Sequence, residues 1–152
     1  MKRLHVHLGV EDADRSVAFY SALFGAEPTL RKPGYARWML DDPRVNFAIS
    51  QHCDDQAGVS HLGIQAEDAD ELAQLADRIG VANGPVNEEG ETTCCYARSV
   101  KSWTADPDGV IWEAFLTHGD SESFGRNPAL QELAQNASVA APDTRSGCCP
   151  AS

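Results

Sequence analysis

Apolar residues recur along the chain at two spacings. Val17, Tyr20 and Phe24 stand three and four apart, as do Leu72, Leu75, Ala76 and Ile79. That spacing gathers them on one face of a helix. It predicts helices over about 12–24 and 69–79, with Gly25 and Gly80 placed to end them. Strands are expected over about 35–40, which alternates, and over 45–50, 96–104 and 110–117. Asp106-Pro107-Asp108-Gly109 reads as the turn between the last two strands.

The pattern repeats. Glu11-Asp12-Ala13-Asp14 recurs unchanged as Glu67-Asp68-Ala69-Asp70, 56 residues later. Extended backwards, His5 falls over His61, Leu8 over Ile64 and Val10 over Ala66. Each copy reads as a short strand leading into an acidic helix start, where carboxylates can cap the helix and meet its positive end. The expected unit is βαβββ, present twice, with modules over about 1–52 and 58–118. From about His118 the composition shifts to Ser, Ala, Asn and Pro. Residues 119–152 are therefore expected to form a C-terminal extension to a domain over 1–118. Asn127-Pro128 could open a short helix through Leu130 and Leu133, with a mobile tail beyond Asn136.

With 152 residues, 42 % of them hydrophobic, a folded domain with a core is expected rather than a disordered chain. A net charge of 12 − 23 = −11 repels phosphate backbones and argues against a nucleic-acid partner. No apolar run approaches the roughly 18 residues of a spanning helix. Lys2-Arg3 is followed by a strand pattern, not by a signal-peptide core. The expected location is the cytoplasm, with no membrane partner. Five cysteines include two adjacent pairs, Cys94-Cys95 and Cys148-Cys149, with Cys53 left over. An odd count in a reducing compartment does not suit a disulfide framework. Adjacent thiols suit gripping one soft atom from two sides.

Equivalent positions in repeated strands converge when the modules pack side by side, so His5 and His61 are expected to meet. Glu113 lies in the apolar run Ile111-Trp112-Glu113-Ala114-Phe115. A carboxylate there is costly unless it is paired or bound to metal. Two histidines and one carboxylate form the facial triad of non-haem Fe(II) oxygenases, which leaves positions open. The matching stretch of the first half, Val45-Asn46-Phe47-Ala48-Ile49, holds no acid, which favours an open site. His7 shares a strand face with His5 and is the fallback ligand. A buried arginine is the alternative partner for Glu113. His52 and His118, near strand ends, are expected to be solvated.

His5-x-x-Leu8-x-Val10-x-Asp12, followed by Ser16-x-x-Phe19-Tyr20-x-x-Leu23-Phe24-Gly25, resembles the vicinal oxygen chelate superfamily. That superfamily includes glyoxalase I, bleomycin-resistance proteins and extradiol dioxygenases. The turn at Asp106 leading to Glu113 resembles its last strand. The resemblance spans about 1–118 and implies an α+β fold of two βαβββ modules, with a curved mixed sheet around a metal site. More narrowly, Lys32-Pro33-Gly34-Tyr35-Ala36 and Thr93-Cys94-Cys95-Tyr96-Ala97 resemble the ArsI carbon–arsenic lyases and the cadmium-induced CadI proteins. This implies Fe(II) on His5, His61 and Glu113, dioxygen as co-substrate, and a trivalent organoarsenical on Cys94 and Cys95. Other divalent metals could occupy such a site. The expected activity is cleavage of the carbon–arsenic bond to arsenite.

Residues 85–93 hold two glycines at or beside them, Gly84 and Gly90, and the acids Glu88, Glu89 and Glu91. They read as a flexible loop able to carry bound arsenic to iron. The alternatives are a cadmium-, zinc- or arsenic-binding stress protein without catalysis, and another glyoxalase- or dioxygenase-type enzyme. Homodimerisation is compatible with either reading.

Overall fold

The computed structural model describes residues 1–51, 57–82, 87–94, 97–120 and 132. Its elements are β1 (Arg3–Gly9), α1 (Ala13–Phe24), β2 (Leu30–Lys32), β3 (Tyr35–Asp41), β4 (Arg44–Ser50), β5 (Gly58–Ala66), α2 (Ala69–Val81), β6 (Asn87–Cys94), β7 (Ala97–Ala105) and β8 (Ile111–Asp120). This is βαβββ twice, as the repeat predicts. The strands form one mixed sheet in the order β2-β3-β4-β1-β5-β8-β7-β6. Each half lies parallel at its inner pair, β1 with β4 and β5 with β8, and the halves join through antiparallel β1 and β5.

Both helices start on the repeated acids. Asp12 accepts from the Arg15 amide at 2.9 Å and Asp68 from the Glu71 amide at 2.8 Å. These are N-caps that satisfy amides the helix itself cannot. Gly25 ends α1 in the left-handed region at φ 63°, open to glycine at little cost. Gly80 does not end α2, which runs on to Val81 and is capped by Ala82.

Val17, Tyr20 and Phe24 of α1 pack on Val6, Leu8, Trp38 and Phe47. Leu72, Leu75 and Ile79 of α2 pack on Ile64, Ala66 and Ala114. Side chains alternate along a strand, so the positions between these point to the opposite face. That face carries His5, His7, His61 and Glu113, all buried.

Two strands go beyond the expectation. β2 is short. β6 occupies most of the segment expected to be a loop: it pairs antiparallel with β7, with a bulge between Glu89 and Glu91. Glutamate and glycine have little intrinsic strand preference, and pairing with β7 overrides it. β8 continues past its expected end to Asp120, with His118 exposed on it. Apart from residue 132, the expected helix over 127–133 lies outside the described residues, as do the tail beyond Asn136, His52, Cys53, Cys148 and Cys149. Among the described residues, no helix is long and apolar enough to cross a membrane.

Candidate metal centre

Strand register builds the site. Across β1 and β5, His7 stands opposite His61, and His5 opposite Gly63. Across β5 and β8, Gly63 stands beside Glu113. The 56-residue offset that superposes His5 on His61 puts His7 over Gly63. In the first module His7 stands beside Ala48. Ala48 is therefore the counterpart of Glu113, and it is fully buried and without a donor atom. The second module uses a glycine on β5 and an acid on β8; the first uses an imidazole on β1 and a methyl group on β4.

The side chains converge. His5 Nε2 lies 3.3 Å from Glu113 Oε1, and His61 Nε2 lies 3.6 Å from the same oxygen. The His7 and His61 ring centroids are 4.7 Å apart. His5, His7 and His61 each bring one ligand atom within 4.8 Å of the others, so the three could hold a metal ion. Each imidazole is oriented by a hydrogen bond at one ring nitrogen. His5 Nδ1 bonds the Asn46 carbonyl at 2.9 Å, His61 Nδ1 the Ser60 hydroxyl at 3.1 Å, and His7 Nε2 the Ser50 hydroxyl at 2.8 Å. Phe115 meets His5 and Trp103 meets His61 edge-on, both at 5.3 Å between centroids. The rings keep water from that side.

Glu113 has a partner that the sequence reading missed. Lys101 of β7 donates to Glu113 Oε2 at 2.9 Å. The alternative of a buried arginine is thus replaced by a buried lysine, and the carboxylate faces the two histidines at the same time. Lys101 lies between Ser99 and Trp103 on the site face of β7, all three buried. Lys101 stands two residues from Trp103, the β7 partner of Glu113, on the same strand face, and a lysine at that inward position was the available signal.

Burial pushes the His5 pKa down to about 4, against the opposing pull of Glu113. Burial also holds His7 well below the ordinary imidazole value, and the neighbouring histidines add to it. For Glu113 burial acts upward, but Lys101, the hydrogen bond from His61 and the charge of His5 outweigh it and hold the carboxyl well below its usual range. The pocket therefore presents neutral imidazole at His5 and His7 and an ionised carboxylate at neutral pH, the protonation states metal binding requires.

One contact tests whether this set suits a cation. A carbonyl only accepts, so neutral His5 places its proton on Nδ1 toward Asn46. Its Nε2 then turns a lone pair on Glu113 Oε1, itself an acceptor, 3.3 Å away. Two buried acceptors facing each other repel unless a cation lies between them. Nitrogen and carboxylate donors of this kind suit a divalent transition metal.

The expected thiol pair is only partly described. Cys94 closes β6 in register with Ala97, and Cys95 and Tyr96 lie outside the described residues. Trp103 is the β7 partner of Glu113. Six residue steps along β7 separate it from Ala97, roughly 20 Å along a strand.

The Glyoxalase/Bleomycin resistance protein/Dioxygenase superfamily model matches residues 2–114. A trivalent organoarsenical cleaving enzyme of Bacillus sp. (strain MD1) is 42 % identical over 132 residues, covering 84 % of this chain and 81 % of that protein. The cadmium-induced protein CadI of Mycobacterium bovis is 34 % identical over 128 residues, covering 84 % of each. Among solved structures, homoprotocatechuate 2,3-dioxygenase from Arthrobacter globiformis superposes with a TM-score of 0.56 at 16 % identity, over 85 % of this chain and 39 % of that one. The Mn(II)-bound glyoxalase from Novosphingobium aromaticivorans gives 0.53 at 17 %, over 91 % and 53 %. These two likenesses concern the fold. With most of its length matched by the family model and by relatives well above 30 % identity, the chain belongs to the glyoxalase/bleomycin resistance protein/dioxygenase superfamily.

Proposed function

We propose that this protein cleaves the carbon–arsenic bond of trivalent organoarsenicals, methyl or aromatic, to arsenite, using Fe(II) and dioxygen. His5, His61 and Glu113 hold the iron, and Cys94 and Cys95 hold the arsenic. The observation that carries the reading is the facing pair of acceptors, His5 Nε2 and Glu113 Oε1, at 3.3 Å in a buried pocket. The likeness to an organoarsenical cleaving enzyme at 42 % identity supports the substrate class.

The thiols match this substrate. A trivalent methylarsenical carries two exchangeable hydroxyls, which two cysteines replace with sulfur, leaving the carbon–arsenic bond. Iron, when bound, supplies the activation of dioxygen. The stoichiometry closes without another reductant: methylarsonous acid plus dioxygen equals formaldehyde plus arsenous acid. The carbon–arsenic bond breaks, carbon is oxidised, dioxygen is reduced and arsenic stays trivalent.

The chain's own residues supply position. Asn46 and Ser60 aim the imidazoles, Lys101 holds the outer oxygen of Glu113, and Trp103 and Phe115 exclude water. Cys94 closes β6 roughly 20 Å along β7 from the partner of Glu113, so bound arsenic has to be carried toward the metal. The test is aerobic turnover of trivalent methylarsenical by Fe(II)-loaded protein, following arsenite. Absence of arsenite with iron bound overturns the reading.

The likeness to a cadmium-induced protein favours one second reading, sequestration of a soft metal by the thiols without catalysis. Anaerobic assay separates the two: turnover stops without dioxygen, whereas sequestration persists.

A further inference from the structure

Lys101 is a buried charge of the pocket that metal binding by His5, His61 and Glu113 does not use. It belongs to β7, opposite Phe115 of β8. Its ammonium lies 2.9 Å from Glu113 Oε2, while Oε1 of the same carboxylate faces His5 and His61. The ammonium also sits 5.3 Å from the Trp103 ring centroid and 5.5 Å from that of Phe115, within the range of cation–π attraction. Strand, carboxylate and two rings thus fix where the charge is.

We infer that Lys101 is a positioning residue that restricts Glu113 to binding metal through one oxygen, and so keeps one more coordination position open for exogenous ligands. A carboxylate beside a divalent ion can bind through one oxygen or two. Second-oxygen binding at this site requires Oε2 to turn inward, away from Lys101. That movement breaks a buried charge-assisted hydrogen bond and leaves the ammonium without its carboxylate. The first module contributes no acid, because Ala48 stands at the position equivalent to Glu113. With few protein donors, the difference between one carboxylate oxygen and two is the difference of a whole site for substrate or dioxygen. Lys101 thereby sets the coordination number of the metal site proposed above, on which this inference rests.

The experiment uses the full chain loaded with Mn(II), whose exchangeable waters are counted by water-proton relaxation. In K101M the hydrogen bond and the charge are both gone, and Glu113 is expected to take the metal with both oxygens. The count should fall by about one water relative to wild type, with metal still bound. K101Q keeps a donor without the charge and should retain the wild-type count. An unchanged count in metal-loaded K101M overturns the inference. So does loss of metal from K101M, because Lys101 would then govern whether metal binds rather than how. If K101M does not fold, K101Q and K101L take its place as the pair compared, with the same outcomes. Failure of wild-type protein to bind Mn(II), or binding that survives H5A and H61A, sinks the metal-site reading itself and not this inference alone.

Discussion

Glu113 lies against the bare backbone of Gly63. A Cβ added at Gly63 would fall 2.6 Å from Glu113 Cγ and 2.8 Å from its carbonyl oxygen. Neighbouring strands normally tolerate side chains at paired positions. Here the side chain of Glu113 crosses the space where its β5 neighbour's would stand, and this crossing brings Oε1 to His5 and His61. The glycine is needed for close approach rather than for a positive φ.

G63A should therefore weaken metal binding by roughly 10–100-fold, the size of effect seen when groups that orient ligands are lost. The forced separation of β5 and β8 should cost about 1–3 kcal/mol of stability. Metal titration by calorimetry, beside thermal melts, reads both. Wild-type metal affinity in G63A would mean that Glu113 is not a ligand.

The histidines should divide into two groups. H5A and H61A each remove a nitrogen that faces Glu113 Oε1, and each should lower Fe(II) affinity by at least about tenfold. H7A removes a ring whose Nε2 is held by Ser50. It should leave affinity within a few-fold. Equal losses in all three variants would make His7 a ligand.

C94S and C95S should leave Fe(II) affinity unchanged and abolish most turnover of trivalent methylarsenical. Arsenic bound per chain, by mass spectrometry under native conditions, should fall with it. Full turnover in C94S would remove the thiols from the mechanism.

Acid should destabilise the metal-free protein. The His5 pKa falls from the ordinary 6.5 to about 4 on folding. Between these values the unfolded chain holds more protons, so stability rises with pH across that window. The contribution is complete above about pH 6.5, shrinks as pH falls, and is lost near pH 4. For a fully buried ring it is on the order of 3 kcal/mol. Chemical denaturation at pH 7.5 and pH 5 checks this, with H5Q as control. His7 and Glu113 act in the same direction, so H5Q should lose less stability than wild type over this interval but not none.

The two modules are written in local sequence pattern. The repeated Glu-Asp-Ala-Asp and the helical spacing of Val17, Tyr20 and Phe24 are local patterns, set by capping and by which face is buried. His5, His61 and Glu113 were legible because a repeat implies convergence and a buried acid demands a partner. The rest emerged from the pairing of strands distant in sequence. That pairing identified Ala48, within the matching stretch Val45–Ile49, as the counterpart of Glu113, because inter-strand register is set by pairing across the whole sheet. It drew Glu88, Glu89 and Glu91 into β6, because pairing with β7 outweighs weak local preference. It gave Lys101 to Glu113 and the space above Gly63 to the same side chain. Such contacts join residues from different strands, and spacing along one strand carries no record of them.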